Sequence, residues 1–186
     1  LGKITATYHL ADEESKININ TATKEMLMLL PGLNDEKLAD NIIAYRERNP
    51  LVLNEELLLV EGASPEVFRQ CQDFITVWTE GKVNINTASA AAFRTLGLSD
   101  NLIEVILRYR KGDDDREPTP DDNIFKDVAT IISDLHNFTA LTVGEVTQLQ
   151  NVISQDLLTV KSKKFKMELQ SRFLNQLPRK FKITFD

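Results

Sequence analysis

At 186 residues and 42% hydrophobic, the chain is long enough to bury a core as one large or two small domains. It holds no apolar run of about 18 residues, the length a membrane-spanning helix requires. A formal charge of −6 argues against a nonspecific polyanion binder and leaves room only for a local basic patch.

The chain opens on Ile4-Thr5-Ala6-Thr7-Tyr8, which reads as a strand. The stretch from Leu1 has no basic flank followed by an apolar run, so it does not read as a secretory leader. It starts abruptly within strand-like sequence, as a piece of a longer protein would.

A seven-residue phrase then appears twice, Lys16-Ile17-Asn18-Ile19-Asn20-Thr21-Ala22 and Lys82-Val83-Asn84-Ile85-Asn86-Thr87-Ala88. Polar identities kept in register within an alternating apolar frame signal a duplication, so each copy is expected to open one structural unit. Ile17 and Ile19 would face one way, and Asn20 or Thr21 would cap a helix starting at Ala22. Asn18 and Asn84 are expected to tie the extended segment to neighbouring backbone amides; ligand contact is the alternative.

In the first unit Met26, Leu27, Leu29 and Leu30 give one helix an apolar side, closed by Pro31-Gly32. A second helix begins near Asn34, with Asp35 and Glu36 in its first turn. It repeats Leu38, Ile42, Tyr45 and Ala39, Ile43, Arg46 at helical spacing and stops at Asn49-Pro50. Two short helices follow, one through Glu55-Glu56-Leu57-Leu58 and one from a Ser64 cap, with Pro65 in its first turn, to about Gln72. Cys71, the single cysteine, sits there as a core thiol; it excludes an internal disulfide and leaves the redox compartment open. The run Phe74-Ile75-Thr76-Val77-Trp78 leads straight into the second phrase, so the two units should touch.

The second unit follows the same plan: Phe93 and Leu96 on its first helix, a turn at Leu96-Gly97-Leu98-Ser99, then Leu102, Ile103, Ile106 and Tyr109. After Lys111-Gly112 comes an acidic insertion from Asp113 to Asp122, which reads as a solvated loop. Its carboxylates Asp113, Asp114, Asp115, Asp121 and Asp122 are candidate ligands for Ca2+, a hard cation that takes several oxygens. Their spacing, however, is not that of the regular calcium loop, whose turn glycine is missing. Val128, Ile131, Ile132 and Leu135 mark a further helix, and Thr142 with Glu145 forms a capping box for the last, ending near Ser154.

From Asp156 the period becomes alternating. Leu158 and Val160, then Phe165, Met167 and Leu169, suggest two strands, and Phe181, Ile183 and Phe185 a third. With Ile4 to Tyr8 these make an antiparallel sheet from both chain ends, whose apolar face needs a cover. The expected class is α+β: a small antiparallel pilin-like sheet with a large inserted, duplicated all-helical domain of helix-hairpin-helix or SAM-like type. Its boundaries fall at 1–15, 16–81, 82–156 and 157–186.

The phrase N-I-N-T-A, a leucine-rich helix, L-P-G-L and a second helix ending A-Y-R resemble the helix-hairpin-helix unit of competence-type DNA-binding proteins. The ordered set D-E-E-S-K-I-N-I-N-T-A (12–22), E-E-L-L-L-V-E-G (55–62), D-F-I-T-V-W (73–78), K-V-N-I-N-T-A (82–88) and D-L-L-T-V-K-S-K-K-F resembles the general secretion pathway protein K family, over nearly the whole chain. That family is the large minor pseudopilin of type II secretion systems. The resemblance implies a long hydrophobic N-terminal helix anchoring the protein in a bacterial inner membrane, a periplasmic domain at the pseudopilus tip, other minor pseudopilins as partners and contact with exported proteins. Members of the pseudopilin class can use calcium.

The runner-up reading is a helix-hairpin-helix DNA-binding module. Such hairpins expose backbone amides to phosphate at a glycine-bordered turn. Here Gly32 and Gly97 each stand without a second glycine and near an acid, so they read as turn formers and no nucleic-acid binding is expected. Nor is catalysis: His9 and His136 fit no metal-ligand pattern, and no nucleophile elbow, Walker loop or dinucleotide fingerprint occurs.

Overall fold

The computed structural model of the chain describes residues 4–173 and 179–185; Leu1, where the sequence opens, lies outside them. In chain order the elements are β1 (Ile4–Asp12), β2 (Ile17–Asn18), α1 (Lys24–Leu29), α2 (Glu36–Arg48), α3 (Pro65–Cys71), β3 (Ile75–Thr76), β4 (Val83–Asn84), α4 (Ala90–Thr95), α5 (Asp100–Arg110), α6 (Ile131–Phe138), α7 (Val143–Ser154), β5 (Leu158–Thr159), β6 (Phe165–Phe173) and β7 (Arg179–Phe185). Short 3-10 turns cover Glu13–Ser15, Asn54–Leu59 and Val128–Thr130.

The two ends of the chain form one antiparallel sheet in the order β1-β6-β7, and everything from Glu13 to Lys164 is inserted between Asp12 and its cross-strand partner Phe165. Because side chains alternate faces along a strand, the register sets Leu10, Met167 and Ile183 side by side and likewise Tyr8, Leu169 and Phe181. The opposite face carries Lys166, Glu168, Lys182 and Thr184 and forms a cleft with Leu53, Asn54, Phe68 and Trp78 of the helical part. The helical insert thus lies on the polar side, and the apolar side is left open.

Leu158 and Val160 do not belong to this sheet, contrary to the sequence expectation. Leu158–Thr159 pairs in parallel with Val83–Asn84, as Ile75–Thr76 pairs with Ile17–Asn18. Alternation over two or three residues marks extended backbone but not its partner. Each opening phrase is thereby closed by the segment that ends its own unit.

Within the phrases the same hydrogen bonds recur. Asn18 Oδ1 accepts from Asn20 N–H at 2.8 Å and Asn84 Oδ1 from Asn86 N–H at 2.9 Å. The amides of Ala22 and Ala88 donate to the carbonyls of Asn18 and Asn84, both at 2.9 Å. Asn20 and Asn86 do not cap helices, as was expected of Asn20. Asn20 clamps the backbone of Leu51, donating to its carbonyl (2.8 Å) and accepting its N–H (3.0 Å); Asn86 does the same to Phe125 at 2.9 Å each way. The helices start later, with Thr23 and Ser89 as N-caps. The phrases therefore act as brackets, fixing the loop that follows the second helix of each unit to the point where the unit begins.

One apolar cluster runs through both units, from Ile17, Leu27, Leu38 and Ile42 to Phe93, Leu102, Ile106, Leu135 and Leu149, and α1 packs on α4. The amphipathic spacing of α2 and α5 gives each a buried stripe: Leu38, Ala39 and Ile42 in one, Leu102, Ile103 and Ile106 in the other. Leu29 is an exception to the expected apolar side of α1, for it is exposed while Leu27 and Leu30 are buried.

Candidate functional site

The open face of the sheet is a chemically distinctive surface. Tyr8, Leu10, Phe181, Ile183 and Phe185 are between 41% and 76% exposed, and Phe165 and Phe185 stack at 6.1 Å. Clustered apolar exposure of this kind marks a surface that another element or protein covers. Charges on the polar side are mutually compensated: burial raises the Glu168 carboxyl, but Lys182 and Lys166 outweigh it and hold it below the usual range.

Both hairpin turns place their glycine in the left-handed region, Gly32 at φ +77° and Gly97 at φ +82°. A Cβ on Gly32 would stand 2.9 Å from Gln70 Cβ and 3.1 Å from the Val67 carbonyl, so this turn is pressed against α3. Gly97 has open space around it. Beside the first turn, Asp35 caps α2, and Lys24 is held by Glu36 (2.9 Å) and Asp40 (2.8 Å). Beside the second, Arg94 is held by Asp100 at 2.7 Å. The charges near both turns are thus acidic or already paired, which disfavours an incoming phosphate.

In the acidic loop, Asp121 Oδ2 accepts the amides of Asp113 (2.8 Å) and Asp114 (3.1 Å). The Thr119 hydroxyl lies 3.3, 2.8 and 2.9 Å from carboxylate oxygens of Asp114, Asp121 and Asp122. That hydroxyl carries one proton, so three carboxylates converge on a donor that can serve one of them at a time. The Thr119 contact and these amides hold the Asp121 carboxyl below its ordinary value. Asp115 instead pairs with Lys111 at 3.0 Å. The donors are hard oxygens, the chemistry a divalent ion of the calcium type takes, but among the described residues no three His, Cys, Asp or Glu side chains are gathered as a metal shell. Glu117, within the same loop, makes a two-pronged ion pair to the buried Arg110 (3.0 and 3.1 Å), whose Nη1 donates to the Ala88 carbonyl at 2.7 Å.

That arginine role was missed in the sequence. Arg46, in the last turn of α2, acts in the same way, donating from Nη1 to the Ile19 carbonyl at 2.6 Å, although its spacing marked it only as part of a packed face. The A-Y-R and R-Y-R runs in the last turns of the two helices were the available signal. His9 and His136 are both exposed and lie on β1 and α6. Cys71 is fully buried, and burial pushes its thiol up to about 11, which suppresses the thiolate that chemistry would need.

Comparison with known proteins adds four findings. Residues 12–76 match the family model described as a helix-hairpin-helix motif. The chain is 33% identical over 122 residues to "Endonuclease/exonuclease/phosphatase family domain-containing protein 1" of Xenopus laevis, covering 52% of this chain and 22% of that protein. It is 39% identical over 62 residues to human "S1 RNA-binding domain-containing protein 1", covering 33% of this chain and 6% of that protein. The chain therefore spans less than a quarter of the length of these curated relatives. In three dimensions it is similar to a chain of the GspK-GspI-GspJ complex from the enterotoxigenic Escherichia coli Type 2 Secretion System. The TM-score is 0.67 at 13% identity, over 99% of this chain and 75% of that one. At that identity the likeness concerns the fold: a sheet made by both chain ends, carrying a large helical insert.

Proposed function

We propose that this chain is a minor-pseudopilin-type subunit, a structural component at the tip of a type II secretion pseudopilus that supports assembly and protein export and catalyses no reaction. The observation that carries the reading is the sheet. It is built from both chain ends, it has one apolar face open, and it belongs to a fold shared over 99% of the chain with a component of a pseudopilin complex. An apolar helix anchored in a bacterial inner membrane would lie on that face, with the domain in the periplasm. Other minor pseudopilins would dock beside it, and the repeated helical units, both read as helix-hairpin-helix folds, would project away and meet exported proteins. A specific contact of this kind buries on the order of 1,000 Å² or more. Co-purification with the other minor pseudopilins is the test, comparing the natural chain with an Ile183→Asp/Phe185→Asp double variant. Binding by the natural chain and loss in a variant with unchanged circular dichroism is expected; failure of the natural chain to bind any pseudopilin overturns the reading.

A helix-hairpin-helix nucleic-acid module is the second reading, favoured by the family match over residues 12–76 and by relatives whose names include RNA-binding and nuclease-family domains. The acidic, packed turn at Gly32 weighs against it.

We also propose that the acidic loop takes calcium when Thr119 turns away and leaves the carboxylates of Asp114, Asp121 and Asp122 to share the ion. The excess of carboxylate over donor at Thr119 supports this; the absence of a formed shell means that the loop must rearrange. Calorimetric titration of calcium should give saturable heats that vanish in Asp121→Asn/Asp122→Asn, and equal heats in both proteins would remove calcium from the account.

A further inference from the structure

The two units end on matching segments as well as opening on them. Ile75-Thr76-Val77-Trp78-Thr79 and Leu158-Thr159-Val160-Lys161-Ser162 leave the equivalent strands β3 and β5. Asn18 donates to the Thr79 carbonyl (2.5 Å) and Asn84 to the Ser162 hydroxyl (2.7 Å), so each exit is tied to its own opening phrase. Trp78 and Lys161 hold the same place in the two exits, and both line one cavity of about 140 Å³, together with Lys82, Lys163, Lys164 and Glu14.

The charge of this cavity runs against that of the chain. Four lysines line it, against the carboxylates of Glu14 and Glu80, in a protein of net charge −6. Two of the lysines are held through exposed carboxylates. Lys163 meets Glu80 at 3.4 Å with both side chains more than 70% exposed, a pair of small worth in water. Lys82 meets Asp156 at 2.6 Å, again through an exposed carboxylate. Among the described residues Lys161 makes no ion pair. Glu14 Oε2 accepts the Lys164 amide at 3.0 Å.

We propose that this cavity is a binding site for a carboxylate presented by a polypeptide, with Lys161 and its lysine neighbours taking the anion and the Trp78 ring taking the adjoining apolar side chain. The lining carries two more lysines than glutamates, which draws an anion, and a ring beside ammonium groups offers the mixed apolar and cationic contact that a peptide end or an acidic side chain needs. A nucleic-acid strand fits less well, because it requires a run of stacking rings along an extended basic groove, whereas one ring and one small pocket are bordered here by Glu14 and Glu80. The site does not depend on the secretion reading, since it rests on the lining alone.

Trp78 is the only tryptophan of the chain; its emission reports on this cavity and on the sheet cleft that it also lines, and Lys161, which lines only the cavity, separates the two. The full chain is titrated with an acetylated peptide ending Ala-Leu with a free C-terminus, an amidated peptide carrying two glutamates, an amidated neutral peptide, inorganic phosphate and an oligothymidylate. A saturable emission change is expected with at least one carboxylate peptide and not with the neutral one. The tighter of the first two identifies a chain terminus or an acidic side chain as the source. Binding should weaken on going from about 0.05 to about 0.5 M salt, as screening predicts, and by about fivefold or more in Lys161→Ala, with recovery in Lys161→Arg. Lys161 is exposed, so its replacement leaves folding intact, which circular dichroism verifies. No carboxylate-dependent change, equal binding of the neutral peptide, indifference to Lys161→Ala, or tighter binding of phosphate or oligothymidylate would each overturn the proposal.

Discussion

Glu14 shows how one side chain at the junction of sheet and helices sets a pH dependence. Burial raises its carboxyl above the ordinary value; the Lys164 and Lys163 amides pull it down, and Asp12 pushes it up again. A carboxyl with a folded-state value above its unfolded one binds its proton more tightly in the folded chain, so its contribution to stability is greatest below the ordinary carboxylate value and is lost as pH rises through the raised value. Glu14→Gln, which keeps an oxygen for the Lys164 amide, should therefore gain on the natural protein between about pH 4 and about pH 7. Urea midpoints measured across that range give the check, and a constant difference would contradict it. Asn20 and Asn86 act through neutral bonds. Removing the clamp by Asn20→Ala or Asn86→Ala leaves a backbone donor and acceptor at Leu51 or Phe125 without partners, at a cost of about 1–3 kcal/mol by chemical denaturation. The repeated phrase made these asparagines conspicuous, and the tie of Asn18 to the backbone was legible because its partner lies two residues on. The clamps were not: their partners lie 31 and 39 residues away, and a cap was the only local use for such a side chain.

Among the elements, the two hairpin turns look alike in sequence and differ in packing. Ala at either glycine meets the left-handed backbone, a strain of about 1 kcal/mol. At Gly97 nothing more opposes it, whereas at Gly32 the new Cβ collides with α3, and overpacking adds about 1–3 kcal/mol. Thermal denaturation of Gly32→Ala and Gly97→Ala should thus show the first falling well below the second. Helices α2 and α5 were readable because their apolar residues recur at helical spacing over three turns or more, and the Thr142–Glu145 capping box lies where the sequence placed it. The long strands β1, β6 and β7 were readable from alternation for the same reason of length. β3 and β5 are two residues each; their parallel partners are set by the closure of the unit, a tertiary fact with no local periodicity. The lysine cavity was equally illegible, since its lining comes together only when both exits fold against each other.

The whole molecule combines a negative charge with hairpins whose turns are packed or flanked by acids, so duplex DNA titrated at about 0.15 M salt should show no binding in the micromolar range; salt-sensitive micromolar affinity would instead favour the nucleic-acid reading. The sheet has a further consequence of a mechanical kind. Asp12 pairs directly with Phe165, and nine residues of β1 are laddered to β6. Tension applied at the outer ends of β1 and β7 runs through those ladders in shear and bypasses the stretch from Glu13 to Lys164 altogether. While the ladders hold, a chain strained along its sheet would carry its helical units as an unloaded passenger, keeping the lysine cavity and the packed turns intact under a pull that the sheet alone resists.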